Sequence, residues 1–162
     1  MHYKKASIED IETIRAIANE SWREAYKEIL SAEQIDYMLE KMYSHSALEE
    51  HLNHPNIHYF LLKDPEPLGF IGFETNAEPG VLKLHRIYML PGAKGRGYGK
   101  SGISFLKEFA KKTGAITIKL NVNKQNKAQD FYKSQGFVLD SEEVIDIGEG
   151  YVMDDYNMKF EL

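Results

Sequence analysis

The 162-residue chain contains no cysteine. That absence removes disulfides, a thiol nucleophile and the usual structural zinc sites together. It also suits a reducing compartment. No window approaches the roughly 18 consecutive apolar residues that cross a bilayer, so no membrane partner is expected. The opening MHYKKASIED lacks the apolar stretch of a secretory leader and reads as mature sequence. Repeats, linkers and low-complexity segments are missing too. With 43% hydrophobic residues the chain can bury a core without staples. The expectation is one cytoplasmic domain spanning residues 1–162.

Positive charge is in short supply and unevenly spread. The net charge is −5, yet residues 91–133 hold ten Lys/Arg against two acids, Glu108 and Asp130, a local +8 that leaves −13 elsewhere. A nucleic-acid binder tends to present a whole basic face, so no nucleic-acid partner is expected. A basic segment inside an acidic chain suits a small polyanion instead. Lys107, Lys111 and Lys112 fit a solvated helix face. Lys94, Arg96 and Lys100 fit it less easily.

Periodicity gives the order of elements. Residues 2–6 read as a short strand. Ser7 with Asp10 resembles a capping box, and Ile11, Ile14, Ile17, Ala18, Trp22 and Ala25 then follow helical spacing. Ser31 with Gln34 starts a second helix, and residues 46–52 add a short helical turn. Residues 57–63, 68–75 and 81–90 read as strands. A helix over 98–112 ends at Gly114, a strand covers 115–122, and a helix over 127–135 stops at Gly136. Residues 137–147 and 151–160 close the chain as a hairpin. This is a mixed α/β sheet.

The densest signal is GAKGRGYGKS, residues 92–101, with four glycines and three cations. A Walker A loop would need glycine at position 94, where Lys94 stands. A Rossmann fingerprint would need Gly-x-Gly-x-x-Gly and a later acid. The spacing here is Gly95-x-Gly97-x-Gly99, and the later strand offers Lys119 and Asn121. A diphosphate fits better. Gly97 and Gly99 open a helix whose first N–H groups lack partners, and the helix dipole favours an anion there.

IYMLPGAKGRGYGK, residues 87–100, resembles motif A of the GNAT acetyltransferase superfamily, with Lys94 where the family usually has Gln or Arg. NVNKQNKAQDFYKSQGF, residues 121–137, resembles motif B through Asn126, Ala128, Tyr132, Gly136 and Phe137. The resemblance implies a GNAT-like α/β fold: a mixed, mostly antiparallel twisted sheet flanked by helices, with splayed central strands. It implies acetyl-CoA as cosubstrate, no metal, and direct attack by an amine in a ternary complex. The cofactor-binding residues it implies are Ile87, Tyr88, Met89, Lys94, Gly95, Arg96, Gly97, Tyr98, Gly99, Lys100, Asn121, Asn126 and Tyr132. SWREAYKEIL and DDYNMKFEL are similar to bacterial members described as polyamine or diamine N-acetyltransferases.

On that resemblance Tyr132 is the general acid for the leaving thiolate, and a backbone N–H near Tyr88 or Met89 polarises the thioester carbonyl. A plain core role also fits Tyr132, since Phe131 and Phe137 flank it. A helix N-cap also fits Asn126. In the strand before the loop, apolar residues fall at 82 and 84, then at 87 and 89. That parity slip suits a bulge, and burial on both faces would suit it too. The strand offers no carboxylate, so the base falls to His85, to Glu74 on the neighbouring strand, or to a water chain. Trp22, Tyr26 and Asp154, with Glu20, Glu24 and Asp155, are candidates to meet a cationic small-molecule or peptide amine, and a plain core role also fits Trp22 and Tyr26. A non-catalytic CoA-binding domain is the rival function. Some small sheets of this type pair across a two-fold axis, which leaves a homodimer open.

Overall fold

A computed structural model describes all 162 residues. Strand β1 (His2–Lys5) leads through a 3-10 turn into helix α1 (Ile11–Tyr26), followed by α2 (Ala32–Tyr43) and α3 (His45–Asn53). Strands β2 (Ile57–Lys63), β3 (Pro67–Glu78) and β4 (Val81–Met89) come next. Helix α4 (Tyr98–Lys112), strand β5 (Thr117–Asn123), helix α5 (Ala128–Ser134) and the hairpin β6 (Val138–Gly148) and β7 (Tyr151–Glu161) complete the chain. The expected 46–52 turn is the full helix α3, because the Ser44 hydroxyl accepts from the Ala47 amide at 3.2 Å and caps it. The third strand from the N-terminus also runs past residue 75, since Asn76 takes a positive φ of 55° and the chain continues to Glu78.

All strands join one sheet in the order β1-β2-β3-β4-β5-β7-β6. Every pairing is antiparallel except β4–β5. The sheet is therefore mixed and mostly antiparallel, with helices on both faces. On one face α1, α2 and α3 bury Ile11, Ile14, Trp22, Ile35 and Leu48. On the other, α4 and α5 cover Leu82, Leu84, Ile118 and Leu120 with Ile103, Leu106 and Tyr132. The 3.6-residue spacing of apolar side chains in α1 and α4 gives each helix one face to bury.

The centre of the sheet positions the site. Gly72 pairs with Arg86, but Phe73 pairs with Leu84, so His85 is an extra residue on β4. This is a β-bulge, and it falls where the apolar parity slips. The parallel pairing of β4 with β5 covers only Val81 to Leu84 against Thr117 to Leu120 and stops at the bulge. Beyond it β5 continues beside β7 as far as Asn123, while β4 continues beside β3 as far as Met89. The two central strands thus part company. Leu90 donates its amide to Leu68 across β3 at 2.8 Å. By strand alternation the N–H and C=O of Met89 and Ile87 face the opposite way, into the gap.

The short parallel seam is what welds the two halves of the sheet. Leu82 sits in it, fully buried and paired with Ile118. Leu82→Ala is expected to cost about 2–5 kcal/mol in a denaturant melt. A loss below about 1 kcal/mol, the level of an ordinary surface change, would contradict this packing.

Candidate active site

The glycine-rich loop follows β4 directly. Pro91–Ala93 forms a 3-10 turn, and the chain then takes left-handed conformations at Gly95 and Gly97, with φ of 76° and 82°. A side chain at either would be strained. A Cβ built on either glycine meets nothing within 4 Å, so the protein does not fill the space in front of them. Gly97 is the N-cap of α4, and the first helical bond runs from the Ser101 amide to the Gly97 carbonyl at 3.1 Å. The amides of residues 95–100 therefore find no backbone acceptor in the chain. Unpaired N–H groups at a helix start are an anion site. At Gly99 the need is space, since a Cβ there would stand 3.2 Å from the Phe131 ring. The first turn of α4 thereby packs on α5.

The loop's side chains divide into two groups. Lys94, Arg96 and Lys100 take part in none of the chain's ion pairs. Arg96 instead lies over the Tyr98 ring at 5.1 Å. Tyr98 turns inward: its ring is buried and its hydroxyl donates to Asp64 at 2.7 Å. Ser101 and Tyr3 share a hydrogen bond of 2.7 Å. These contacts tie the loop to β1 and the β2–β3 turn, so Tyr98 offers a diphosphate its amide only.

A cavity of about 840 Å³ runs from this loop through the gap between β4 and β5 to the C-terminal end of α1. That is ample for a small-molecule site. Tyr132 lines its middle, buried and packed against Phe131 and Phe137. Burial pushes the Tyr132 phenol well above its ordinary value, and the Tyr26 hydroxyl adds to the shift. It stays protonated, as a proton donor must. Asn126 does two things at once. Its carbonyl oxygen accepts from the Ala128 amide at 2.9 Å, starting α5, and its amide donates to the Tyr26 hydroxyl at 3.4 Å.

His85 and Glu74, rivals in the sequence, form one pair. The Glu74 carboxylate accepts from His85 Nε2 at 3.0 Å. The imidazole lines the cavity and is partly exposed, and Glu74 stands behind it. Burial holds the imidazole below the ordinary histidine value, although Glu74 pulls it upward. It is therefore neutral at pH 7, with Nδ1 free to accept a proton. The bulge puts Arg86 beside it, on the same side of the strand. Arg86 is buried, donates to the Met42 carbonyl at 3.1 Å and to the Tyr59 hydroxyl, and lies over the Tyr43 ring at 4.4 Å. Arg86 was missed from sequence, where the parity slip was its one signal.

The acceptor candidates separate. Tyr26 and Glu24 line the cavity, and so do Ser21 and Glu28, which the sequence did not single out. Glu20 is exposed and lies off it. Trp22 is a correction. Its ring lies tilted against Tyr26 at 4.6 Å, but it is sealed in the core and does not reach the cavity. Asp154 is a second correction. It is half-exposed, paired with Lys124 at 3.0 Å, and off the cavity. Asp155, one residue on, points to the other face and is buried. Asn121 lines the cavity, but its side chain accepts from Lys83 at 2.7 Å and donates to Glu143 at 2.9 Å, on the acceptor side.

With this geometry in view, comparison with known proteins is specific. Residues 11–137 match the model of the Acetyltransferase (GNAT) family. The chain is 29% identical over 157 residues to a spermidine N(1)-acetyltransferase of Thermoplasma acidophilum, covering 93% of this chain and 94% of that protein. It is 27% identical over 153 residues to an N-acetyltransferase of Lactobacillus delbrueckii subsp. lactis, covering 90% and 88%. Among solved structures, a PaiA N-acetyltransferase from Thermoplasma acidophilum in complex with coenzyme A superposes with a TM-score of 0.86 at 27% identity, covering 99% of this chain and 98% of that one. The chain belongs to the GNAT acetyltransferase family.

Proposed function

We propose that this enzyme moves the acetyl group of acetyl-CoA to a primary amine, of polyamine type, by direct attack within a ternary complex. One cavity carries this reading: it joins a loop of unpaired amides to a protonated tyrosine and a histidine–carboxylate pair across the strand gap. The coenzyme A held by the Thermoplasma structure and the spermidine named for the Thermoplasma relative support the two substrates.

Acetyl-CoA, when bound, supplies an activated acetyl thioester. The amides of residues 95–100 would hold its diphosphate, with Lys94, Arg96 and Lys100 adding charge. The exposed backbone edge at Ile87 and Met89 would take the pantetheine arm as an added strand. Of the two amides expected to polarise the carbonyl, Met89 is the one facing the gap, and it would act as an oxyanion donor. His85, oriented by Glu74, would take the proton of the incoming ammonium at Nδ1. As the C–S bond breaks, Tyr132 would give its phenolic proton to the departing sulfur, and the proton shed by the attacking nitrogen would restore the phenol. Without cysteine the chain has no thiol to carry the acetyl group first, which favours direct attack.

Three outcomes are expected. Gly97→Glu loses coenzyme A binding in a thermal-shift titration, while Gly97→Ala, which shares the backbone strain without the charge, keeps most of it. Equal binding by both would place the diphosphate elsewhere. Tyr132→Phe keeps coenzyme A affinity and lowers kcat by about 100-fold or more, read by thiol release against an amine panel. A wild-type rate would assign the proton to another donor. The His85 imidazole is active when neutral, and its burial-lowered pKa keeps it neutral below the usual histidine range. The acidic limb of kcat/KM should therefore fall below that range, and His85→Gln should remove it. A limb that survives in the variant would point to water or Glu74.

A further inference from the structure

Behind the cavity wall formed by Tyr26 and Asn121, and outside the lining itself, lies a carboxylate that the proposed chemistry does not use. Asp155 is only 6% exposed, and its Oδ1 is buried with no hydrogen-bond partner. It enters none of the ion pairs of the chain. A buried charge in that condition carries a large desolvation cost, and native proteins rarely leave one unmatched. A second acid makes it worse. Glu143 of β6 stands directly across from Asp155 of β7. Directly opposed acids repel on one face of a sheet.

The neighbours show which way the pair faces. Asp155 is also the register partner of Asn123, so it shares a sheet face with Asn121 two residues away. That face is the one covered by the end of α1, and the Tyr26 hydroxyl is close enough to Asp155 for its ionisation to be made harder by that charge. Tyr26 and Asn121 both line the cavity. Lys83 donates to the Asn121 carbonyl oxygen, and the Asn121 amide donates one hydrogen to Glu143. Burial and the charge of Glu143 push the Asp155 carboxyl up, with only partial relief from Asn121 and Lys83.

We infer that Asp155, with Glu143, is a subsite for a second ammonium group of the acceptor, separate from the reaction centre. This rests on the amine-acetyltransferase reading above and says which amines it favours. The reacting nitrogen must lose its charge to attack, so it gains little from a permanent carboxylate. A second nitrogen keeps its charge and can supply the missing partner of Asp155. His85 is on β4 and Asp155 on β7, with β5 between them. The gap between β4 and β5 therefore lies between the two subsites. A monoamine has nothing to offer there, and a diamine or polyamine does.

The test compares butane-, hexane- and octane-diamine with butylamine, hexylamine and octylamine. The wild-type enzyme should prefer at least one diamine over its matched monoamine by about tenfold or more in kcat/KM, as a charged hydrogen bond warrants. Asp155→Asn should remove that preference by raising the KM for the diamine, leaving monoamine and acetyl-CoA kinetics unchanged. Its thermal melt should be no lower than wild type, because an unmatched charge has gone. Should that variant fold poorly, Glu143→Gln, on the exposed edge strand, should show a smaller loss confined to diamines. Equal loss for both amine classes would overturn the subsite and make Asp155 structural, as would a wild type without diamine preference. If no amine is acetylated, the acetyl-transfer reading fails separately. Calorimetric binding of the diamines, without acetyl-CoA, to wild type and Asp155→Asn then still decides the subsite.

Discussion

One extra residue in one strand shapes this enzyme. His85 has no partner on β3, and at that point β4 stops pairing with β5. Had the parallel ladder continued, its backbone groups would be satisfied and the sheet closed. Instead the strands part, and the outward N–H and C=O groups of Ile87 and Met89 face a cavity. The bulge also sets His85 and Arg86 on the same side. Arg86 is locked among Tyr43, Tyr59 and the end of α2, which fixes the strand from behind. His85 is left facing the cavity with Glu74 at its back. Scaffold, cofactor edge and candidate base thus come from one local irregularity, the kind that sheets place beside functional sites.

The electrostatics follow the same division. On the loop side, unpaired amides and unpaired cations face the cavity together. On the far side Glu24, Glu28, Glu74, Glu143 and Asp155 gather around or behind its wall. Of the ten cations in residues 91–133, Lys94, Lys100 and Lys127 line the cavity.

Much of this was legible in the sequence. Glycines after a strand and before an amphipathic helix located the loop, because few other residues tolerate the φ that Gly95 and Gly97 adopt. The parity slip fitted a bulge and a strand buried on both faces equally, and the register of β3 against β4 decides for the bulge. What could not be read were relations across strands. The pairing of His85 with Glu74 depends on register between β4 and β3, which no local pattern encodes. Trp22 and Tyr26 lie on one helical face, yet four residues along the helix separate the sealed core from the cavity wall. Asp154 and Asp155 look alike in the chain, but strand alternation sends one to solvent and the other inside. The partners of Arg86 lie on α2 and β2, far away in sequence.

The most direct test is amide hydrogen exchange of the folded enzyme, resolved by residue, with and without coenzyme A. The account predicts slowed exchange at residues 95–100 and at Ile87 and Met89, the backbone groups left without partners by the loop and by the strand gap. Protection confined to other segments, with these amides unchanged, would contradict it.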